Sequence, residues 1–200
     1  KNIINKIIKL KEIENKNIIK IGRTHGAITK NIIKKNPKSL ILIEKDKKIF
    51  KFLKENYSKV ESIKIYNEDI LDFDLEKKIK SNSIIFGNLP YNVSSQILVK
   101  LLRFKKWPPK FTDIIFMFQK ELGDKIIGNF NSKNYGRLSI LTNFRLAIFN
   151  KFTISNSCFF PKPKVKSIIL HFKPKKNNYK IKNIVNLEKI TNILFSNKRK

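Results

Sequence analysis

Short apolar runs alternate with helix-spaced stretches over the first two-thirds of the chain. Residues 17–21, 39–43, 62–66 and 83–87 (NIIKI, SLILI, SIKIY, SIIFG) are nearly continuous in Ile and other apolar types. Such runs predict strands buried on both faces, because a strand with one wet face would alternate strictly. Between them, residues 3–10, 26–35 and 46–57 repeat apolar positions at helical spacing, with Asp46 as the capping residue of the third helix. The pattern continues with a helix over 94–103 capped by Ser94 or Ser95, a strand over 113–118 and a fifth helix over 119–127. Strands separated by helices of this length predict a parallel, doubly wound α/β sheet. After Asn134 the alternation ends: 135–143 predicts a short helix, and 144–154 with 165–172 predicts an antiparallel pair that brings the sheet to seven strands. Beyond Lys173 the chain is basic and Asn-rich until a last helical pattern over 187–195, for which the sequence offers no packing partner. The expected division is therefore a first domain over 1–172, with 173–200 as the start of a small helical domain.

Ligands of a doubly wound sheet bind outside the carboxyl ends of its strands. The residues there are Gly22, Glu44, Asp69 and Asn88, one after each of four successive strands. Gly22 permits close backbone approach; Glu44, 22 residues on, suits a ribose diol; Asp69 can accept from an adenine amine. Taken singly, Glu44 and Asp69 also read as helix-cap or turn residues, and a dinucleotide enzyme shares the first two features. Asp69 and the tetrapeptide Asn88-Leu89-Pro90-Tyr91 favour a mononucleoside-like cofactor beside a second adenine, and S-adenosylmethionine fits. The exocyclic amine of adenine is a poor nucleophile because its lone pair is delocalised into the ring. The Asn88 amide oxygen and the Leu89 carbonyl, both accepting from that amine, would localise the lone pair as it attacks. Pro90 stiffens the turn, and Tyr91 can stack on the base. The bland alternative is a strand followed by an Asn-Pro turn with a core Tyr.

Two hundred residues with 41% hydrophobic content suit one domain and the beginning of another. No apolar run approaches the ~18 residues of a membrane span, and the first residues carry helical spacing rather than a signal peptide. The single cysteine, Cys158, excludes a disulfide framework or a cysteine-rich metal site, so a reducing cytoplasmic location and no metal are expected. With 44 Lys+Arg against 15 Asp+Glu the formal charge is +29, which attracts polyanions and above all nucleic acid. The Lys, Ile and Asn bias is also what an AT-rich genome encodes by drift. Because Arg is scarce, the charge predicts phosphate contacts rather than bidentate base readout.

Six stretches carry a family resemblance: Leu42-Ile43-Glu44-Lys45-Asp46, Asn67-Glu68-Asp69-Ile70-Leu71, the segment from Gly87 through Asn88-Leu89-Pro90-Tyr91 to Ser95, Met117-Phe118-Gln119-Lys120-Glu121, Tyr135-Gly136-Arg137-Leu138-Ser139, and Phe159-Phe160-Pro161-Lys162-Pro163-Lys164-Val165. In these the chain resembles the small-subunit ribosomal RNA adenine dimethyltransferases over essentially its whole length. The resemblance implies a Rossmann-like, S-adenosylmethionine-dependent methyltransferase, monomeric and with no membrane role. Its implied partner is small-subunit ribosomal RNA within the immature subunit, where two adjacent adenines become dimethyladenine. It also implies that Gly22, Gly26, Glu44, Lys45, Asp69, Ile70 and Asn88 hold the cofactor. Asn88, Leu89, Pro90 and Tyr91 would be the catalytic loop, Phe159 would stack on the target base, and Ser196-Asn197-Lys198-Arg199-Lys200 resembles the family's basic C-terminal motif. The cofactor loop departs from the family's acidic-x-Gly-x-Gly-x-Gly, reading Lys20-Ile21-Gly22-Arg23-Thr24-His25-Gly26. A cation beside the cofactor's ammonium and a β-branched residue in place of a Gly both oppose binding. His25 reads as a ligand, a base or simply a solvated loop residue. An RNA-binding assembly factor that has lost methyl transfer is the alternative; a DNA adenine methyltransferase is opposed by the Phe-x-Pro-x-Pro-Lys-Val segment.

Overall fold

The computed structural model describes residues 2–22, 26–159, 163–176 and 183–196. The elements run α1 (Asn2–Ile8), β1 (Asn17–Ile21), α2 (Ala27–Ile33), β2 (Ser39–Ile43), α3 (Lys47–Tyr57), β3 (Ile63–Tyr66), α4 (Leu75–Lys78), β4 (Ser83–Asn88), α5 (Ser94–Leu102), β5 (Phe111–Gln119), α6 (Lys120–Ile126), α7 (Arg137–Arg145), β6 (Leu146–Ile154), β7 (Ser167–Pro174) and α8 (Ile184–Ser196). One seven-stranded sheet has the order β3-β2-β1-β4-β5-β7-β6. Its first five strands are parallel, and β7 lies antiparallel to both β5 and β6.

The continuous apolar runs fill both faces because successive strand side chains point to opposite sides. Ile19, Ile21, Ile41, Ile43, Ile85, Phe116 and Phe118 face one layer, with Leu75, Ile97, Leu141 and Ile184 of the covering helices. Ile18, Leu40, Leu42, Ile84, Phe86 and Met117 face the other, with Ile7, Ile32 and Leu53 of α1, α2 and α3. The strand order reverses between β1 and β4, which pair directly with Ile21 opposite Gly87. That reversal opens the crevice where a ligand can enter.

Asp46 caps α3 as expected, its Oδ1 accepting from the Lys48 and Ile49 amides. Elsewhere the structure corrects the expectations. Val93, not Ser94 or Ser95, is the N-cap of α5; Ser94 is buried inside the helix and its hydroxyl donates to the Tyr91 carbonyl at 3.0 Å. The turn through Pro90 sets this start, since the Val93 amide donates to the Pro90 carbonyl. Helix α4 has only four residues, too few to show a periodicity, and is held by Asp74 as its cap. Phe144 and Arg145 end α7 instead of opening β6. The reason is the Arg145 guanidinium, which is buried, donates to the Leu102 and Phe104 carbonyls and lies 4.5 Å from the Trp107 ring. Helix α8 does have a partner. Arg103 grips its Glu188 through Nε and Nη2, Arg137 donates to its Asn192, and Ile184 sits in the core.

Candidate functional site

At the crevice the chain leaves β1 through Gly22, whose φ of +62° is left-handed, a region that glycine enters without penalty. The Gly22 amide donates to the Ile43 carbonyl at 3.1 Å. A Cβ at Gly22 would lie 3.2 Å from the Asn88 carbonyl oxygen and 3.3 Å from Pro90 Cδ. Glycine is thus required here twice, for conformation and for space, and the turn after β1 rests on the tetrapeptide after β4. Asn88 ends β4 and is half-buried, while the Leu89 side chain is core. The Tyr91 hydroxyl shares a 2.8 Å hydrogen bond with Ser167 Oγ at the start of β7, so the aromatic ring is anchored across the sheet. Sequence reasoning missed Ser167, which lies 76 residues from Tyr91 and carries no local signal.

A cavity of about 520 Å³ opens on the α1 and α2 side. Asn88, Met117, Gly26, Ile154 and Phe159 line it, together with isoleucines of α1. Phe159 arrives there through the 3-10 turn Asn156–Cys158, which follows β6. The structure therefore brings Asn88, Gly26 and Phe159 to one cavity, whereas Tyr91 lies outside its wall. A larger cavity, about 680 Å³, lies between α5 and α7 and takes in none of the predicted site residues.

The remaining predicted residues form a second group over β2 and β3. Glu44 is only 5% exposed. Its Oε1 accepts from the Asp46 amide at 3.1 Å, and its carbonyl accepts from Asn67 Nδ2 at 2.9 Å. Asp69 Oδ1 accepts from the Leu71 amide at 2.9 Å, and Oδ2 receives Lys45 Nζ at 2.7 Å. The Lys45 ammonium, helped by the Leu71 amide, holds the Asp69 carboxyl below the usual carboxylate range. Lys45 thus serves Asp69, and the Ile70 side chain belongs to the core, which leaves its backbone to meet a ligand. Asp69 follows β3 and Asn88 ends β4, three strand spacings apart in the sheet order. At ~4.8 Å per spacing the two ends of the site stand roughly 14 Å apart, room for an extended nucleoside derivative.

Lys20 differs most from its sequence reading. It is fully buried, and its Nζ donates to the Ile21 carbonyl at 3.0 Å and the Gly22 carbonyl at 2.6 Å. Burial lowers its pKa from 10.5 to about 7, against the opposing pull of Glu44. The lysine does not project an open cation into the crevice; it braces the Gly22 turn from beneath. Arg23, Thr24, His25, Phe160, Pro161 and Lys162 lie outside the described residues, as does the basic motif from Asn197 onward.

Among the described residues no group of three or more His, Cys, Asp or Glu could hold a metal ion. The residues fall in two groups, Asn88 with Gly26 and Phe159 at one cavity and the Glu44 and Asp69 carboxylates over β2 and β3, with the Gly22 turn on the strand between. The family described as ribosomal RNA adenine dimethylase matches residues 1–200. The ribosomal RNA small subunit methyltransferase A of Pelagibacter ubique is 42% identical over 201 residues, covering all of this chain and 76% of that protein. The protein of the same name from Malacoplasma penetrans is 36% identical, with 100% and 71% covered. Among solved structures, a dimethyladenosine transferase from Plasmodium falciparum aligns over the whole chain and 70% of its own, with 27% identity and a TM-score of 0.78. The 23S rRNA methyltransferase ErmE, 19% identical with a TM-score of 0.77 over 98% of this chain and 77% of its own, shares the fold. With residues 1–200 matched by the family and relatives at 42% and 36% identity, this chain belongs to the ribosomal RNA adenine dimethylase family.

Proposed function

We propose that this chain transfers methyl groups from S-adenosylmethionine to the N6 amines of two adjacent adenines in small-subunit ribosomal RNA, acting as a monomer in the cytoplasm. The observation that carries the reading is Asn88: a half-buried amide at the end of β4, in one cavity with Phe159 and in contact with the Gly22 turn. At Gly22 the turn after β1 packs against the Asn88 carbonyl and Pro90, so a bare backbone there keeps the β1 and β4 ends together beside the cavity that Gly26 and Asn88 line. When bound, the cofactor supplies an activated methyl group. Gly22 and Gly26 would approach it with bare backbone, Glu44 would take the ribose hydroxyls, and Asp69, braced by Lys45, would accept from its adenine amine.

Asn88 and the Leu89 carbonyl orient the target amine and draw its lone pair out of the ring. Pro90 fixes that turn; Phe159 stacks on the base in the Asn88 cavity, while Tyr91, held by Ser167 outside that wall, secures the loop. The work is positioning, so no covalent enzyme intermediate is needed. All the proposed site residues fall within 1–172, which supports reading that stretch as the catalytic domain, with α8 packed against it. No helix among the described residues is long and apolar enough to cross a membrane. A non-enzymatic assembly factor is not favoured, because the tetrapeptide and the Gly22 turn are kept and the relatives carry the methyltransferase name.

The test is Asn88→Ala. Losing hydrogen bonds worth ~1–3 kcal/mol each should slow methyl transfer to immature small subunits by several tens-fold or more. Thermal stability should barely change, as the amide lines an open cavity. A variant that methylates at the parental rate refutes the assignment, and one that unfolds makes Asn88 a structural turn residue.

A further inference from the structure

The turn that carries Asp69 is held from a direction the proposed mechanism does not use. The Asp69 carbonyl accepts from the Asp72 and Phe73 amides at 3.0 and 2.9 Å, and its Oδ1 takes the Leu71 amide. The Leu71 carbonyl in turn accepts from Lys100 Nζ at 2.6 Å. Lys100 is half-buried, a location that costs an ammonium hydration, and burial pulls its pKa down while Asp72, Asp74 and Asp69 pull it up. In a chain with 44 Lys+Arg, most at the surface, a lysine committed to one carbonyl beneath a turn of three acids has a specific place. That place is on α5, the helix that begins six residues earlier at Ser94, where the Ser94 hydroxyl caps the Tyr91 carbonyl.

We propose that Lys100 is a positioning residue: by holding the Leu71 carbonyl it aims the Asp69 carboxylate at the cofactor's adenine amine, and it ties that turn to the helix carrying the target-amine loop. The inference rests on the reading of Asp69 as the acceptor of that amine. Lys100 acts through the backbone of the turn, its Nζ being spent on the Leu71 carbonyl. An arginine can replace its donor, whereas a methionine keeps the apolar stem and loses the hydrogen bond.

Calorimetry with S-adenosylhomocysteine and with S-inosylhomocysteine, which has a carbonyl in place of the amine, separates the possibilities. Lys100→Met should bind the adenine ligand about tenfold more weakly, the worth of one charged hydrogen bond, and the inosine ligand almost as the parent does. Lys100→Arg should stay within about twofold of the parent for both, and the melting temperature should move little in either variant. An unchanged adenine preference in Lys100→Met, or equal weakening for both ligands with a fall in melting temperature, overturns the proposal. Asp69→Ala serves as the control. If it keeps the adenine preference, the reading of Asp69 fails and the role of Lys100 with it; if it loses the preference while Lys100→Met retains it, only the role of Lys100 fails.

Discussion

Lys20 is buried with two carbonyl partners in place of bulk water, and its ionisation is therefore coupled to folding. Its folded pKa of about 7 lies below the ordinary 10.5. Between those values the unfolded chain holds the proton and the folded chain does not, so stability rises with pH from about 7 toward 10. Below pH 7 both states are protonated and the whole burial cost is present. Lys20→Met removes that cost while keeping most of the side-chain volume. Loss of the two carbonyl hydrogen bonds adds a constant cost, so relative to the parent the variant should be more stable at pH 6 than at pH 9. A gap that does not change with pH, read by circular dichroism melts, would show that Lys20 does not titrate in this range. Gly22, just beyond, is the opposite case, because its residue type alone signals a tight turn: glycine takes a φ of +62° freely, and the Asn88 carbonyl and Pro90 leave little room for a Cβ.

Helix α1 contributes a wall of the Asn88 cavity, and the segment after this helix is pinned to the far end of the sheet. Lys11 Nζ lies 3.2 Å from Asp113 Oδ2, and His171 Nε2 donates to Asp113 Oδ1 at 2.7 Å. Burial works against the Asp113 charge, but the His171, Thr112 and Lys11 hydrogen bonds overcome it and hold the pKa at about 2. Because this value is depressed from 3.8, the cluster stabilises the fold fully above pH 4 and the contribution fades as pH falls toward 2. Asp113→Asn should cost about 1–3 kcal/mol at pH 7, since it leaves two donors poorly matched in the interior. Urea midpoints of parent and variant should converge between pH 3 and 2. If the cost is the same at both pH values, the carboxylate charge is not what holds the cluster. At this scale hydrophobic spacing located every helix but the four-residue α4. It did not show what α8 packs against, because the Arg103–Glu188 contact spans 85 residues.

For the whole molecule, the formal charge of +29 outweighs any single contact in determining how the chain meets RNA. Most of that charge is Lys, so phosphate contacts and counterion release should dominate affinity. Filter binding to small-subunit RNA should therefore give a steep, linear fall of log K with log salt concentration. A flat response between about 50 and 200 mM salt would mean that stacking or base contacts carry the affinity instead.

The run-and-spacing pattern by itself determined the strands, their parallel order of succession and the four strand-end residues, because burial on two faces writes a local, repeated signal into each segment. The motifs behind the proposed chemistry, Asn88-Leu89-Pro90-Tyr91 and the carboxylates at 44 and 69, are local as well. Only the tertiary structure decided that β7 inserts between β5 and β6, that Phe159 reaches the Asn88 cavity while Tyr91 is fastened to Ser167, and that Lys20 turns inward under Gly22. These are pairings between distant segments, chosen by which groups can bury and satisfy one another once the sheet has formed. No window along the chain contains both partners.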